Sequence, residues 1–357
     1  MSRARADGMK GEGVLITGGA GFIGSNLAYW LLSEGRPVRI LDNLARPGVE
    51  RNLAALAGEF GALLQFEQAD IARSDLRRLV RGVGEVYHFS AQVAVTTSLE
   101  NPALDFETNV RGTVNLLEAL RAQPEPPKLV FTSTNKVYGS LDDVAMRRVG
   151  DRYEPTEEEY RAGVSEARPL DFHTPYGCSK GAADQYVIDY ARSYGMPTAV
   201  FRMSCIYGPR QCGTEDQGWV AHFLMRALAG EPITIYGDGM QVRDILYIDD
   251  LLQAFRLVME NLPRLRGQAF NIGGGNTHTV SLIEVLQLIG EIAGTKPRLQ
   301  YADWRQGDQT YYVSDTRKFR HATGWQPSFT VREGLSRLHG WLERDQIKAH
   351  ALFTAQS

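Results

Sequence analysis

The 357-residue chain lacks the features typical of a membrane, secreted or nucleic-acid-binding protein. Its three cysteines, Cys178, Cys205 and Cys212, are an odd number without the CxxC spacing of a zinc site, so we expect neither a disulfide framework nor a metal. No apolar run approaches the roughly 20 residues that span a bilayer. A formal net charge of −3 argues against a general nucleic-acid binder. These absences predict a cytoplasmic protein that binds neither membrane nor nucleic acid.

The start of the chain differs in composition from the rest. It reads MSRARADGMKGEG, basic and then glycine-rich, without the apolar stretch of a signal peptide. We therefore expect residues 1–12 to form a disordered tail. Beyond it, a hydrophobic fraction of 43% and a charged fraction of 23% are ordinary for a globular protein.

Short apolar runs alternate with helical stretches through the first two hundred residues. The runs are apolar throughout and do not alternate between apolar and polar residues, as expected for strands buried on both faces of a parallel sheet. This predicts an α/β fold, a Rossmann-type doubly wound parallel sheet with a smaller C-terminal lobe that binds substrate. The predicted boundaries are 13–202 for the sheet domain, with elements from about 243–262 returning to it, and 203–242 and 263–345 for the smaller lobe. The polar segment 140–174 is either a solvated excursion or an active-site flap.

A glycine loop follows the first apolar run. Thr17–Gly24 reads TGGAGFIG, with Gly18, Gly21 and Gly24 between a strand and a helix. Glycines there let the backbone approach a pyrophosphate, and the helix N-terminus offers free N–H groups. Asp42, which ends the second strand, suits the ribose hydroxyls and would repel a 2′-phosphate. The pattern predicts a site for NAD rather than NADP, and Asp70 is a candidate for the adenine edge.

Tyr176 and Lys180 form a YxxxK pair at the start of a predicted helix, where the i,i+4 spacing places them on one face. Oxidation of a carbinol requires a base for its hydroxyl proton, and a free tyrosine is a poor base at neutral pH. A lysine ammonium nearby is expected to lower the pKa of the phenol. Thr134, at the end of a strand, is the candidate hydroxyl donor beside the substrate oxygen. These three residues are the predicted catalytic set.

Several motifs occur in one order along the chain: TGGAGFIG, Asp42–Asn43, YGCSK, IYGPRQ, QVRDILYIDD, NIGGG and RQGD. In this the chain resembles the extended short-chain dehydrogenase/reductase family of nucleotide-sugar epimerases and dehydratases, from Val14 to about Trp341. The resemblance implies NAD as cofactor, a nucleotide-diphosphate sugar as substrate, and a homodimer or homotetramer formed through helices near Asn109 and Gly181.

The resemblance also implies residue roles. Arg243 and Arg305 would hold the nucleotide, since guanidinium groups grip phosphate oxygens in a bidentate manner. The implied cofactor-binding set is Gly18, Gly21, Phe22, Ile23, Gly24, Asp42, Asn43, Asp70, Ile71, Ser90, Ala91, Gln92, Tyr176 and Lys180. The implied substrate-binding set is Gln92, Thr96, Asn135, Cys205, Arg243 and Arg305.

Departures from the common pattern indicate which branch of this family the chain resembles. The family's 4,6-dehydratases carry an Asp-Glu pair after the catalytic threonine, where this chain has Asn135 and Lys136, so dehydration is disfavoured. Cys205 stands where many members have asparagine. The segments AQVAVTTSLENP and STNKVYG, together with Cys205, are similar to the CDP-tyvelose (CDP-paratose) 2-epimerase branch.

The resulting hypothesis is epimerisation of a nucleotide-diphosphate hexose at C2, through transient oxidation to a keto sugar and hydride return to the other face. A C4 epimerase of UDP-sugars is an alternative that uses the same residues. A non-catalytic NAD-binding sensor or scaffold is a second alternative, and a net dehydrogenase or reductase is a third. The choice of C2 over C4 rests on the resemblance alone.

Overall fold

The computed structural model describes residues 13–305 and 307–354, so the predicted tail 1–12 lies outside the described residues. Strands and helices alternate in the first part of the chain. In order they are β1 (Gly13–Thr17), α1 (Phe22–Ser33), β2 (Val38–Asp42), α2 (Val49–Phe60), β3 (Leu64–Gln68), β4 (Val83–His88), α3 (Val95–Glu100), α4 (Pro102–Phe106), α5 (Gly112–Arg121) and β5 (Lys128–Thr134).

The second part of the chain has shorter strands between its helices. In order the elements are β6 (Met146–Val149), β7 (Arg152–Pro155), α6 (Thr174–Tyr194), β8 (Thr198–Met203), β9 (Cys205–Tyr207), α7 (Trp219–Leu228), β10 (Ile233–Tyr236), β11 (Val242–Tyr247), α8 (Ile248–Leu265), β12 (Gln268–Ile272), β13 (Thr279–Ser281), α9 (Leu282–Ala293), β14 (Leu299–Ala302), β15 (Tyr311–Tyr312), α10 (Arg317–Thr323) and α11 (Val331–Thr354).

Seven parallel strands form the central sheet, in the order β12-β8-β5-β4-β1-β2-β3. Every residue of β1 is buried, as the continuous apolar run GVLIT predicts for a central strand covered on both faces. The strand order reverses beside β1, and ligands of such sheets bind outside the carboxyl ends of the strands at that reversal. The Rossmann-type fold is confirmed, and it places the glycine loop at this edge.

The predicted lobe boundary is wrong at β12. Residues from 263 onward were assigned to the smaller lobe, yet Gln268–Ile272 pairs with β8 as the seventh strand of the central sheet. A parallel neighbour requires a long crossover connection, and α8 supplies it by packing its buried face on β5 and β8. Helix α6 begins at Thr174 with a proline in its first turn, so Tyr176 and Lys180 lie near its start as expected.

The smaller lobe contains a four-stranded sheet of β9, β11, β13 and β15, and a parallel pair of β10 and β14. The segment 140–174 includes the hairpin of β6 and β7 and packs on this lobe. Its Arg152 pairs with Glu284 at the start of α9, and the Val164 amide donates to the Val313 carbonyl. One hydrophobic core, which includes Phe201, joins the sheet to the lobe. Among the described residues, no helix is both long and apolar enough to cross a membrane.

Candidate active site

The glycine loop makes backbone contacts that a side chain would prevent. Gly18 has a φ of +68°, and a Cβ there would lie 2.7 Å from the Ser90 amide nitrogen. A Cβ on Gly24 would lie 2.5 Å from the Gly18 carbonyl oxygen, so glycine allows α1 to approach the loop. Gly21 is the N-cap of α1 and makes no side-chain cap hydrogen bond. The first amides of the helix therefore remain available for an anion, and Phe22 and Ile23 lie in that first turn.

Asp42 lies beside the loop at the carboxyl end of β2. Its Oδ2 accepts a hydrogen bond from the Ala20 amide at 3.1 Å, and its Oδ1 accepts from the Leu44 amide at 2.9 Å. The neighbouring Asn43 side chain accepts from the Ala45 amide. These bonds fix the carboxylate at the mouth of the glycine loop, where its remaining lone pairs can accept from ribose hydroxyls.

The other predicted cofactor residues lie at the ends of β3 and β4. Asp70 caps its own turn by accepting from the Ala72 amide, and Ile71 is buried against Gly112. Ser90 and Ala91 follow β4, and the Ser90 amide donates to the hydroxyl of Thr17 at the end of β1. The carboxyl ends of β1, β2, β3 and β4 thus bring the predicted cofactor set to one edge of the sheet.

Thr134 and Tyr176 meet at the carboxyl end of β5. Thr134 is the last residue of β5, Tyr176 lies in the first turn of α6, and the Thr134 hydroxyl lies close enough to the Tyr176 phenol to affect its pKa. Both side chains are buried. A substrate hydroxyl placed between these groups could exchange its proton with either of them. The structure therefore brings the predicted base and the predicted hydroxyl donor together.

The expected direction of the Tyr176 pKa is not found. Burial raises the pKa of Tyr176 to about 12, while the neighbouring Thr134 hydroxyl opposes this rise and Asp105 reinforces it. Lys180 Nζ donates instead to the Thr132 carbonyl at 2.6 Å and lies 4.2 Å from the centre of the Phe131 ring. In this arrangement burial sets the direction of the Tyr176 pKa, and Lys180 is not among the groups that shift it, contrary to the sequence-based expectation.

Burial also changes the protonation of the lysine itself. It lowers the pKa of Lys180 to about 7, against the opposing influence of Asp184 and Asp105. A lysine with a pKa near neutrality can gain or lose a proton at working pH. The pair Tyr176 and Lys180 thus combines a phenol that holds its proton with an amine that exchanges one readily.

A buried polar network supports this pair from the α4 side. Ser179 donates to the Asp105 carboxylate, and Asn109 donates to the Ser179 hydroxyl at 2.9 Å. Asn109 also joins the Gln92 backbone, accepting from its amide at 2.8 Å and donating to its carbonyl at 3.1 Å. The Gln92 amide group donates to the Ala94 carbonyl, so it shapes the turn before α3. Sequence reasoning missed Asp105 and Asn109, which come together with α6 only in the fold.

Four predicted substrate residues lie near the same end of the sheet. Asn135 Oδ1 accepts from the Thr134 hydroxyl at 3.3 Å, and its Nδ2 donates to Gln309 Oε1 at 3.1 Å. Cys205 Sγ accepts from the Trp219 indole N–H, and burial raises the pKa of its thiol. Thr96 lies in the first turn of α3 with a partly buried side chain. The fourth, Arg243, is buried in β11.

Arg243 is held by the loop that precedes β15. Its guanidinium donates at 2.6 Å to Asp308 Oδ1 and at 2.6 Å to the Gln309 carbonyl. Lys136 reaches the same loop: its Nζ donates to the Gly307 carbonyl at 2.9 Å and lies 3.9 Å from Asp308 Oδ1. The sequence identified Lys136 only as a departure from the dehydratase pattern. It identified Asp308 only as the last residue of the RQGD motif.

Arg305, the second predicted phosphate ligand, has different partners. Its guanidinium donates to the Glu215 carbonyl at 3.0 Å, lies 3.2 Å from Asp216 Oδ1 and stacks on the Tyr236 ring at 3.8 Å. None of these groups contacts the side chain of Arg243. Arg305 and Arg243 are thus held by different side chains, although the Asp308 amide donates to the Arg305 carbonyl at 3.2 Å.

Comparisons with known proteins agree with this architecture. The profile of the NAD dependent epimerase/dehydratase family matches residues 14–273. The chain is 41% identical to CDP-paratose 2-epimerase of Salmonella typhi over 92% of this chain and 98% of the relative. The solved UDP-glucose 4-epimerase of Thermotoga maritima, with UDP-glucose, is 31% identical with a TM-score of 0.80, over 94% and 99% of the two chains. That of Thermus thermophilus, with NAD, is 33% identical with a TM-score of 0.76, over 93% and 99%.

Proposed function

Because the chain belongs to the NAD dependent epimerase/dehydratase family, we propose that it inverts C2 of a nucleotide-diphosphate sugar of the CDP-paratose/CDP-tyvelose type. The observation that carries the proposal is the meeting of Thr134 and Tyr176 at the carboxyl end of β5, beside the glycine loop, in a chain 41% identical to a CDP-paratose 2-epimerase. The geometry supports reversible oxidation of a carbinol, and the identity supports the choice of sugar.

The residues at the sheet edge fit the dinucleotide. Gly18 and Gly24 leave no room for a Cβ, the first turn of α1 has no side-chain cap, and Asp42 is fixed at the loop mouth. Gly18, Gly21 and the first turn of α1 would hold the pyrophosphate, and Asp42 would hold the adenosine ribose. When bound, NAD would supply the hydride acceptor for oxidation of the carbinol and the hydride donor for the return step.

The side chains supply the proton transfers of the proposed reaction. Tyr176 accepts the proton of the C2 hydroxyl, and Thr134 holds the same oxygen through its hydrogen bond. Since burial raises the pKa of Tyr176 to about 12, positive charge near the phenol must lower this pKa during turnover, and Lys180, one turn further along α6, is the candidate on the chain. Asp105 and Asn109 keep α6 and the Gln92 turn in register, so the reacting groups stay aligned.

Inversion requires that the keto sugar present its other face before the hydride returns. Arg243 is buried and anchored to the Gln309 carbonyl, so it can keep hold of the diphosphate while the sugar ring turns. The net redox change is zero, and no second substrate is needed. The lysine at position 136, in place of a carboxylic acid, supports epimerisation over water elimination.

The second candidate is a C4 epimerase of UDP-sugars. It is favoured by the two solved UDP-glucose 4-epimerases, which share the fold at TM-scores of 0.80 and 0.76. The same catalytic residues would serve it, with the sugar bound in a different orientation. A non-catalytic NAD-binding sensor and a net dehydrogenase are further alternatives that only activity measurements separate.

We also propose a homodimer or homotetramer. Large apolar side chains are exposed on α3, α4 and α6: Leu99, Leu104, Phe106, Tyr186 and Tyr194. Exposed apolar groups on helices that pack together are typical of a surface that another subunit covers. A symmetric four-helix contact would bury them without closing the carboxyl edge of the sheet.

The test is separate incubation of the purified protein with CDP-paratose and with UDP-glucose, followed by NMR of each sugar carbon. We expect CDP-paratose to be converted to its C2 epimer and UDP-glucose to remain unchanged. Turnover of UDP-glucose alone would favour the 4-epimerase. Bound NAD without turnover of either would favour the sensor, and stoichiometric release of NADH would favour a net dehydrogenase.

A further inference from the structure

Lys136 is a cation placed two residues after Thr134 that the catalytic steps do not use. It lies in the short helical turn Asn135–Tyr138, and its side chain is 21% exposed. Among the described residues, the Gly307 carbonyl is the one acceptor within hydrogen-bond distance of Nζ, at 2.9 Å. An ammonium has three N–H donors, so Lys136 keeps donors that can bind a ligand.

The charges around Lys136 do not balance. Lys136 and Arg243 both face one carboxylate oxygen, Asp308 Oδ1, at 3.9 Å and 2.6 Å. Burial and then Arg243 lower the pKa of Lys136 to about 8, while Asp308 and Cys205 oppose the change. Although burial favours the neutral acid, Arg243 and Lys136 hold the pKa of Asp308 below its usual value. Two cations and one anion leave an excess positive charge, which is costly in a partly buried site without an anion.

The position of this charge bears on which carbon reacts. In a nucleotide sugar the diphosphate is attached to C1, C2 is the adjacent carbon, and C4 lies across the ring. If the C2 hydroxyl meets Thr134 and Tyr176, the sugar-proximal phosphate must lie close to them. If the C4 hydroxyl meets them, that phosphate lies at the far end of the sugar. A cation two residues from Thr134 matches the first arrangement.

We propose that Lys136, together with Arg243, binds the sugar-proximal phosphate of the substrate and thereby selects C2 for oxidation. This inference rests on the proposed function and names the residue that determines its carbon specificity. Lys136 acts by positioning: its charge places the anomeric phosphate, and the phosphate places C2 beside the Thr134 and Tyr176 hydroxyls. The rival role is structural, in which the bond from Lys136 to the Gly307 carbonyl only anchors the loop before β15.

The test uses Lys136→Met, Lys136→Gln and Lys136→Arg, with Lys128→Met as the matched control. Lys128 begins the same strand, and its Nζ also donates to a backbone carbonyl, that of Met259 at 2.9 Å. Calorimetry compares a nucleoside diphosphate with its monophosphate, using whichever of CDP, UDP, GDP and dTDP the wild type binds most tightly. The diphosphate alone carries the phosphate that becomes sugar-proximal in the substrate. Thermal unfolding is recorded for each protein.

We expect Lys136→Met to weaken diphosphate binding by at least about tenfold and to leave the monophosphate unchanged, because one charge-assisted bond is lost. Lys136→Arg should retain most of the affinity, and Lys128→Met all of it. With CDP-paratose, Lys136→Met should raise KM and slow inversion at C2. If Lys136→Met does not fold, Lys136→Gln makes the same comparison.

Two results would overturn the inference: unchanged diphosphate affinity in the variant, or an equal loss for both nucleotides with a lowered unfolding temperature, which the structural role predicts. Failure of the proposed function gives a different result. In that case the wild type does not invert C2 of CDP-paratose, and the diphosphate comparison still tests Lys136 as a phosphate ligand.

Discussion

Within the glycine loop Thr17–Gly24, backbone atoms that are close in the chain contact one another, whereas the contacts of Lys136 join groups that are far apart in the chain. Gly24 meets Gly18 six positions earlier, but Lys136 meets the Gly307 carbonyl 171 positions later. The first region is shaped by steric exclusion at backbone atoms. The second is shaped by charge, with two cations and a carboxylate from three separate segments. A region of the first kind can be recognised from a short motif, and a region of the second kind needs the fold.

Between these regions lie Thr134 and Tyr176, and Tyr176→Phe should have the largest effect on turnover. The variant keeps the ring and loses the proton acceptor, so epimerisation should fall by about 10²- to 10⁴-fold. The variant should still purify with NAD, because the glycine loop and Asp42 are unaltered, and its affinity for a nucleoside diphosphate should not change, because Lys136 and Arg243 are unaltered. Steady-state assays measure epimerisation, and the cofactor content of the purified protein measures bound NAD. Tyr186→Phe, at an exposed position of the same helix, is the control and should be fully active.

Gly24→Ala should affect the cofactor region alone. The added Cβ would lie 2.5 Å from the Gly18 carbonyl oxygen and 2.6 Å from the Gly19 Cα, so the loop must move. We expect a loss of about 1–3 kcal/mol in the free energy of unfolding and a protein purified with little NAD. Gly58→Ala is the control, because this exposed helical glycine has no neighbour within 4 Å of the added Cβ. A Gly24→Ala protein with normal NAD content would contradict the steric account of the loop.

The pH dependence of diphosphate binding should isolate the charge of Lys136 in the substrate region. Because the pKa of Lys136 is lowered to about 8, its charge is present at pH 7 and mostly lost at pH 9. Terminal phosphates are already largely dianionic above pH 7. Diphosphate affinity should therefore fall by up to roughly tenfold between pH 7 and pH 9, as the lysine loses its proton. Calorimetry of Lys136→Arg should show no such fall for the diphosphate, because an arginine keeps its charge over this range.

The glycine loop and the region around Lys136 also differ in how much of them could be predicted from the sequence. TGGAGFIG, Asp42 and the Tyr176/Lys180 pair are local patterns, and the fold places them at one sheet edge as expected. The seventh strand was missed because QAFNI lies among glycine-rich turns, and only the crossover by α8 brings it beside β8. The direction of the Tyr176 pKa was also missed, since spacing shows that a lysine is near and does not show how deeply the phenol is buried.

The substrate region was predicted in part. Asn135, Cys205 and Arg243 were named from the resemblance, and they lie near the carboxyl end of β5 and the loop before β15. Arg305 lies instead with Glu215, Asp216 and Tyr236. The role of Asp308 could not be predicted from the sequence, because it depends on the two cations, Lys136 and Arg243, that the fold brings to face this carboxylate.

The central claim is that C2 is oxidised and reduced again by a hydride that never leaves the protein. It is tested most directly by converting CDP-paratose in D2O and reading each sugar carbon by NMR. The account predicts inversion at C2 with the original hydrogen retained there and no deuterium incorporated from solvent. Inversion at C4 in place of C2, or solvent deuterium at C2, would contradict it.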